Sequence, residues 1–136
     1  MYLLDTNVIS ELRQGKPAPS EAVRRWAAGQ PTHLLYLSAV TLLELDIGVR
    51  RMERKDAAQG AVLRRWSEAV AREFQGRVLP FTGTTALVCA GLHVPNPRSF
   101  RDSMIAATAM EHGFIVATRN VADFADTGAK WLDPWI

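Results

Sequence analysis

Short apolar runs alternating with stretches of helical periodicity constrain this chain more than any other feature. The runs are Tyr2–Leu4, Leu34–Leu37, Arg77–Phe81, Phe114–Ala117 and Ala129–Leu132. Runs this short and this apolar suit strands buried on both faces, which belong to parallel sheets. Between them the spacing predicts helices over Val8–Leu12, Ser20–Gln30, Val40–Met52, Asp56–Phe74, Thr84–Gly91 and Ser99–His112. Ala22, Val23, Trp26 and Ala27 mark the buried face of the second. The prolines in Gly15–Pro19 stop the first helix, and Gly113 is placed as a C-cap for the last. Strand and helix in alternation argue for an α/β fold, a parallel sheet flanked by helices.

The bulk numbers narrow the function classes. At 136 residues the chain is expected to form one domain over 1–136. No apolar run approaches the roughly 18 residues of a membrane span. No basic region precedes a long apolar core at the start, so no secretory signal is expected and the cytoplasm is the expected compartment. The single cysteine, Cys89, excludes an internal disulfide and a cysteine-based zinc site.

Four carboxylates carry the chemical signal. Asp5 directly follows the first apolar run, and ligands of open α/β sheets bind just beyond the carboxyl ends of strands. Asp123, with Asn120, lies in a similar position after Phe114–Ala117. Glu44 shares a helical face with Val40 and Ile47, where an isolated charge would be costly. Asp102 opens a helix of small apolar residues, expected to pack closely on the strands. Local alternatives stand beside each: Thr41-x-x-Glu44 and Ser99-x-x-Asp102 both fit a capping box, and Asp123 fits a surface turn. Two carboxylates about 5 Å apart repel by roughly 3 kcal/mol at an effective dielectric near 20. A cluster of four therefore calls for a hard divalent cation, Mg²⁺ or Mn²⁺, and such clusters often serve phosphodiester chemistry.

The charge balance agrees with a polyanionic substrate. With those four of the 14 acidic residues set aside, 16 basic side chains face ten acidic ones, and the net charge is +2. Thr6 and Asn7 could bond neighbouring carboxylates or a phosphate. Arg98, Arg101 and Arg119 fall near predicted strand ends and could hold flanking phosphates. Arg50, Arg51, Arg54 and Lys55 read as a solvated helix face or a protein-docking surface, Asp46 as solvated, and Ser38 as an N-cap. His33, His93 and His112 show no ligand spacing. The four tryptophans read as core or interface anchors rather than base-stacking platforms.

Four blocks resemble the PIN-domain family, and within it the VapC/FitB-type toxin ribonucleases of toxin–antitoxin pairs. They are Leu3–Glu11, Tyr36–Leu45, Arg101–Ala109 and Ala117–Phe124, in family order and spread over the whole chain. The resemblance implies a PIN-like three-layer sandwich with a five-stranded parallel sheet. It also implies an endoribonuclease dependent on Mg²⁺ or Mn²⁺, with RNA as substrate. The implied partners are a cognate VapB-like antitoxin and a second copy in a homodimer, the heteromer with antitoxin being able to bind operator DNA. Asp5, Glu44 and Asp102 match the family's three most consistent acidic positions. The fourth falls on Asp123 or on Asn120, with Asp123 favoured.

Two rivals follow from the same residues. Phosphatases built on Asp-x-Asp need an aspartate at position 7, where Asn7 stands, and no acidic pair of the receiver-domain kind ends the first strand. The other rival is a non-catalytic PIN-like module that binds RNA or protein. The three intact acidic positions argue against it.

Overall fold

A computed structural model describes residues 1–136. In chain order the elements are β1 (Tyr2–Leu4), α1 (Thr6–Glu11), α2 (Glu21–Ala28), β2 (Leu35–Ser38), α3 (Ala39–Lys55), α4 (Ala57–Glu73), β3 (Val78–Leu79), α5 (Gly83–Leu92), α6 (Phe100–His112), β4 (Ile115–Ala117) and β5 (Lys130–Leu132). All pairings are parallel, in the order β3-β2-β1-β4-β5. The sheet grows outward from β1 through β2 to β3, then returns to the other side of β1. That reversal opens a crevice beyond the carboxyl ends of β1 and β4.

Period-two alternation divides the strands between two cores. Leu4 and its register partner Ala117 face a core that includes Ile9, Val23, Leu37, Leu45 and Phe74. Leu3 and Val116 face a second core with Val40, Ile105, Ala106, Ala109 and Phe124. Helices thus cover both faces, as the apolar runs predict. No helix is long and apolar enough to cross a membrane.

The third strand is shorter than its apolar run, for two reasons. Pro80 has no N–H for the ladder. At the other end the Arg77 backbone N–H is spent on Phe74 O at 2.7 Å, so only its carbonyl pairs with β2. Helix α3 runs past Met52 to Lys55 because charge holds it against α4. Asp46, expected to be solvated, instead accepts from Arg50 and Arg64, and Arg64 also reaches Glu53. The Arg50 and Arg64 guanidiniums hold the Asp46 carboxyl below its ordinary range.

The α3–α4 hairpin depends on a close approach. A Cβ at Gly60 would lie 2.5 Å from Glu53 Cα and 2.8 Å from Glu53 N. Overpacking of this kind costs about 1–3 kcal/mol, more than the roughly 1 kcal/mol that alanine's helix propensity returns. Gly60→Ala is therefore expected to lower the urea midpoint. An unchanged or higher midpoint would refute the close-approach reading.

Candidate active site

Asp5 stands one residue beyond β1, and its backbone N–H donates to Ala117 O at 2.9 Å, tying the ends of β1 and β4 together. The residue is only 4% exposed. As N-cap of α1 it accepts from Thr6 N at 2.8 Å, and its second oxygen accepts from Thr118 Oγ1 at 2.7 Å and Asn7 Nδ2 at 3.3 Å. Burial pushes its carboxyl above the ordinary range. The Thr118 and Thr6 hydrogen bonds oppose that rise, and the nearby Asp123 charge adds to it.

Glu44 reaches the same crevice from the second turn of α3. It accepts from Thr6 Oγ1 at 3.0 Å and from Arg101 at 3.3 Å. The capping-box alternative fails, because Ser38 caps α3 by accepting from Val40 N at 3.0 Å. Thr41 is thereby carried inside the helix, where its buried hydroxyl has no partner.

Asp102 lies in the first turn of α6, and here too the capping box is absent, since the Ser99 side chain makes no cap bond. Buried Ala106, Ala107 and Ala109 let α6 pack closely, which brings its first turn over the crevice. Burial first, then the charges of Asp123, Asp5 and Glu44, raise the Asp102 carboxyl to about 6, with Arg101 in partial opposition. The other three acidic side chains therefore all act on Asp102.

A cleft of about 460 Å³ opens here, lined by Asp5, Thr6, Asn7, Glu44, Asp102, Arg119 and Asn120 among others. Asp123 sits in the 3₁₀ turn Val121–Asp123, exposed and outside the cleft wall, close enough for its charge to act on Asp5 and Asp102. Arg119 donates its backbone N–H to Asn7 Oδ1 at 3.3 Å, and its guanidinium lies 5.3 Å from the Trp135 ring centroid. Arg98 requires a correction. It is committed to Leu92 O at 2.7 Å and to Asp126 at 2.9 Å, and it does not line the cleft.

Sequence reasoning missed several contributors. Thr118 bonds Asp5 and also accepts from Asn120 N at 3.0 Å, so it joins the two strand-end loops. Its position directly after β4 was the one signal that pointed to it. Ser10, Glu11, Lys16 and Trp135 line the cleft without any periodicity that points there. Lys16 pairs with Glu11 at 2.9 Å, so it does not neutralise the four carboxylates. His93 bonds Ser103 at 2.7 Å and serves packing between α5 and α6.

The donor set fits a hard, hydrated cation. Of the four carboxylates only Glu44 has a cationic partner, and that partner, Arg101, is largely exposed. No three His, Cys, Asp or Glu side chains close into a ready-made coordination shell. Mg²⁺ suits such a pocket, because it keeps several waters and takes one or two carboxylates rather than an all-protein cage.

The PIN domain family model matches residues 2–130. The chain is 39% identical to VapC ribonuclease Y4jK of Sinorhizobium fredii, over 99% of this chain and 98% of that protein. It is 34% identical to Toxin FitB of Neisseria gonorrhoeae, over 99% of each. Among solved structures, FitAB bound to an IR36 DNA fragment superposes with a TM-score of 0.90 at 34% identity, covering 100% of this chain and 96% of that one.

Proposed function

Because this chain belongs to the PIN-domain family, we propose that it is a VapC-like toxin, an endoribonuclease that hydrolyses RNA phosphodiester bonds. Its activity is restrained by a cognate antitoxin, and the toxin–antitoxin heteromer binds operator DNA, as the FitAB–DNA structure suggests by analogy. The chain acts in the cytoplasm as a homodimer. One observation carries the catalytic part: Asp5, Glu44 and Asp102 line one cleft at the β1–β4 switch point, with Asp123 beside it.

Asp5 and Asp102 would hold Mg²⁺ or Mn²⁺, with Glu44 and Asp123 completing the pocket directly or through water. When bound, the cation lowers the pKa of a coordinated water and offsets charge gathering on the phosphoryl oxygens. Thr118, Thr6 and Asn7 keep Asp5 in one orientation through three hydrogen bonds. Thr6 does the same for Glu44. Arg101 and Arg119 flank the pocket and can hold phosphates on either side. Asn120 in the wall and Asp123 beside it are placed to orient the attacking water. Attack in line with the departing 3′ oxygen leaves a 5′-phosphate and a 3′-hydroxyl, and the RNA 2′-hydroxyl takes no part.

The test is cleavage of RNA by the purified, antitoxin-free chain with Mg²⁺ or Mn²⁺, followed by analysis of the new ends. Cleavage should stop with EDTA, return with added metal, and yield 5′-phosphate ends. Chelator-resistant cleavage or 2′,3′-cyclic phosphate products would overturn the metal-dependent hydrolytic reading.

A further inference from the structure

Two arginines flank the carboxylate cleft, and they are held in different ways. Arg101 has fallen onto a carboxylate, pairing with Glu44 at 3.3 Å. Arg119 lines the cleft itself, with Asp5, Glu44 and Asp102 in the same wall. Yet its guanidinium makes no ion pair and no hydrogen bond. What it meets is the Trp135 ring, whose centroid lies 5.3 Å from Cζ, within the range of a cation–π contact.

The fold places both partners of this contact. Parallel pairing sets Ala117 of β4 beside Leu132 of β5, and Thr118 N donates to Leu132 O at 3.0 Å. The chain after β5 therefore runs beside the chain after β4. Asp133 then turns it: its Oδ1 accepts from Trp135 N at 2.9 Å, and buried Pro134 stands between them with its φ fixed. Trp135 packs against the core that holds Leu4 and Ile9. Its side chain also reaches buried Glu11, whose carboxyl is held below its ordinary range by Lys16 first and by Trp135 as a lesser hydrogen-bond partner. Arg119 is fixed from its own side by the backbone N–H that it gives to Asn7 Oδ1 at 3.3 Å.

A guanidinium paired with a carboxylate spends its donors and cancels charge that a cation site needs. One held over an aromatic ring is attracted by the ring's quadrupole and gives no donor to any oxygen, so its N–H fork stays open for a phosphate. We propose that Trp135 is a positioning residue: its ring keeps the Arg119 guanidinium off the neighbouring carboxylates and open to a phosphate of the bound RNA. This rests on the nuclease reading and adds to it a residue that touches neither the cation nor the scissile bond.

The experiment is a double-mutant cycle on RNA affinity, read by the anisotropy of a fluorescent oligoribonucleotide with the antitoxin-free chain in EDTA. W135M, which keeps bulk and removes the ring, should bind about two- to fivefold more weakly, the scale of an exposed cation–π contact. R119Q should lose at least as much, and W135M/R119Q should bind no more weakly than R119Q alone. W135F keeps a ring and should stay within about twofold of the parent. In Mg²⁺ the loss in W135M should fall on KM, with kcat held within about twofold. Equal losses from W135M with and without Arg119 would overturn the proposal, because a merely structural role acts alike in both backgrounds. A W135F that binds no better than W135M, or a loss confined to kcat, would overturn it too. NMR of the parent makes the test independent of how the variants fold. The Arg119 Cδ protons should lie upfield, in the ring current of Trp135, and ordinary shifts would refute the contact itself. Coupled residues in a parent that never cleaves RNA would sink the nuclease reading and leave the positioning role in binding. Cleavage by a parent whose two residues do not couple would do the reverse.

Discussion

Replacing Asp5 by asparagine is expected to lower RNA cleavage by about a thousandfold, the scale on which removing one preorganised electrostatic group acts, without weakening the fold. The substitution keeps shape and changes charge. Asparagine's amide oxygen can still accept from Thr6 N and cap α1. Its amide nitrogen would face Thr118 Oγ1, a hydroxyl able to accept as well as donate. Asn7 would have to turn or give up one 3.3 Å bond. Against those small costs stands the removal of a buried negative charge that lies beside Asp123. Thermal melting without metal should therefore find Asp5→Asn as stable as the parent, while Asp5→Ala loses the cap and about 1 kcal/mol. A rate within tenfold of the parent would remove Asp5 from the chemistry. A large drop in Tm would assign the loss of activity to unfolding instead.

Much of this molecule is legible in the chain because its central strands are buried on both faces, while the edge strand β5 leaves Lys130 and Trp131 exposed. Tyr2–Leu4 and Ile115–Ala117 are apolar throughout, and an apolar run between helical stretches admits few other placements. Helix ends were legible where a cap announces them: Ser38 and Gly113 both stand at the termini their chemistry favours. The β3 edge was not, since Pro80 lacks an N–H and the Arg77 N–H turns back to Phe74 O, which cuts short a run that reads as longer.

The site was legible in part for the same topological reason. Residues that directly follow parallel strands must gather at one edge, and this accounts for Asp5 and Asn120, whereas Thr118, in the same kind of position, was missed. Glu44 and Asp102 needed helix packing to choose between a cap and a pocket, and neither capping box survives. Side-chain commitments across long sequence separations could not be read at all. Arg98 turns to Asp126, Asp46 turns to Arg64, and Trp135 enters the cleft through contacts that no local pattern encodes.

Asp102→Asn provides the sharpest test of whether the four carboxylates form one pocket. The Asp102 carboxyl, raised from 3.8 to about 6 by burial and three like charges, is a group whose ionisation opposes folding. Its sign follows directly. The stability it permits is complete below about pH 4, falls as pH rises toward 6, and stays reduced above that. At face value the displacement is worth about 3 kcal/mol. Because the side chain is only half-buried, solvent screening leaves about 1 kcal/mol. Metal-free Asp102→Asn should therefore exceed the parent by about 1 kcal/mol at pH 7.5 and match it near pH 4, measured by urea unfolding. The difference between the two proteins reads Asp102 together with its coupling to Asp5, Glu44 and Asp123, because Asp46, Glu53 and Asp126, held low by arginines, shift both curves alike. Adding Mn²⁺ should reverse the order. The parent gains stability in proportion to the logarithm of metal concentration, and the variant, lacking one anchoring carboxylate, gains far less. Equal metal-free stabilities at every pH, together with equal responses to Mn²⁺, would mean that Asp102 stands apart from the other three and that no common cation site exists.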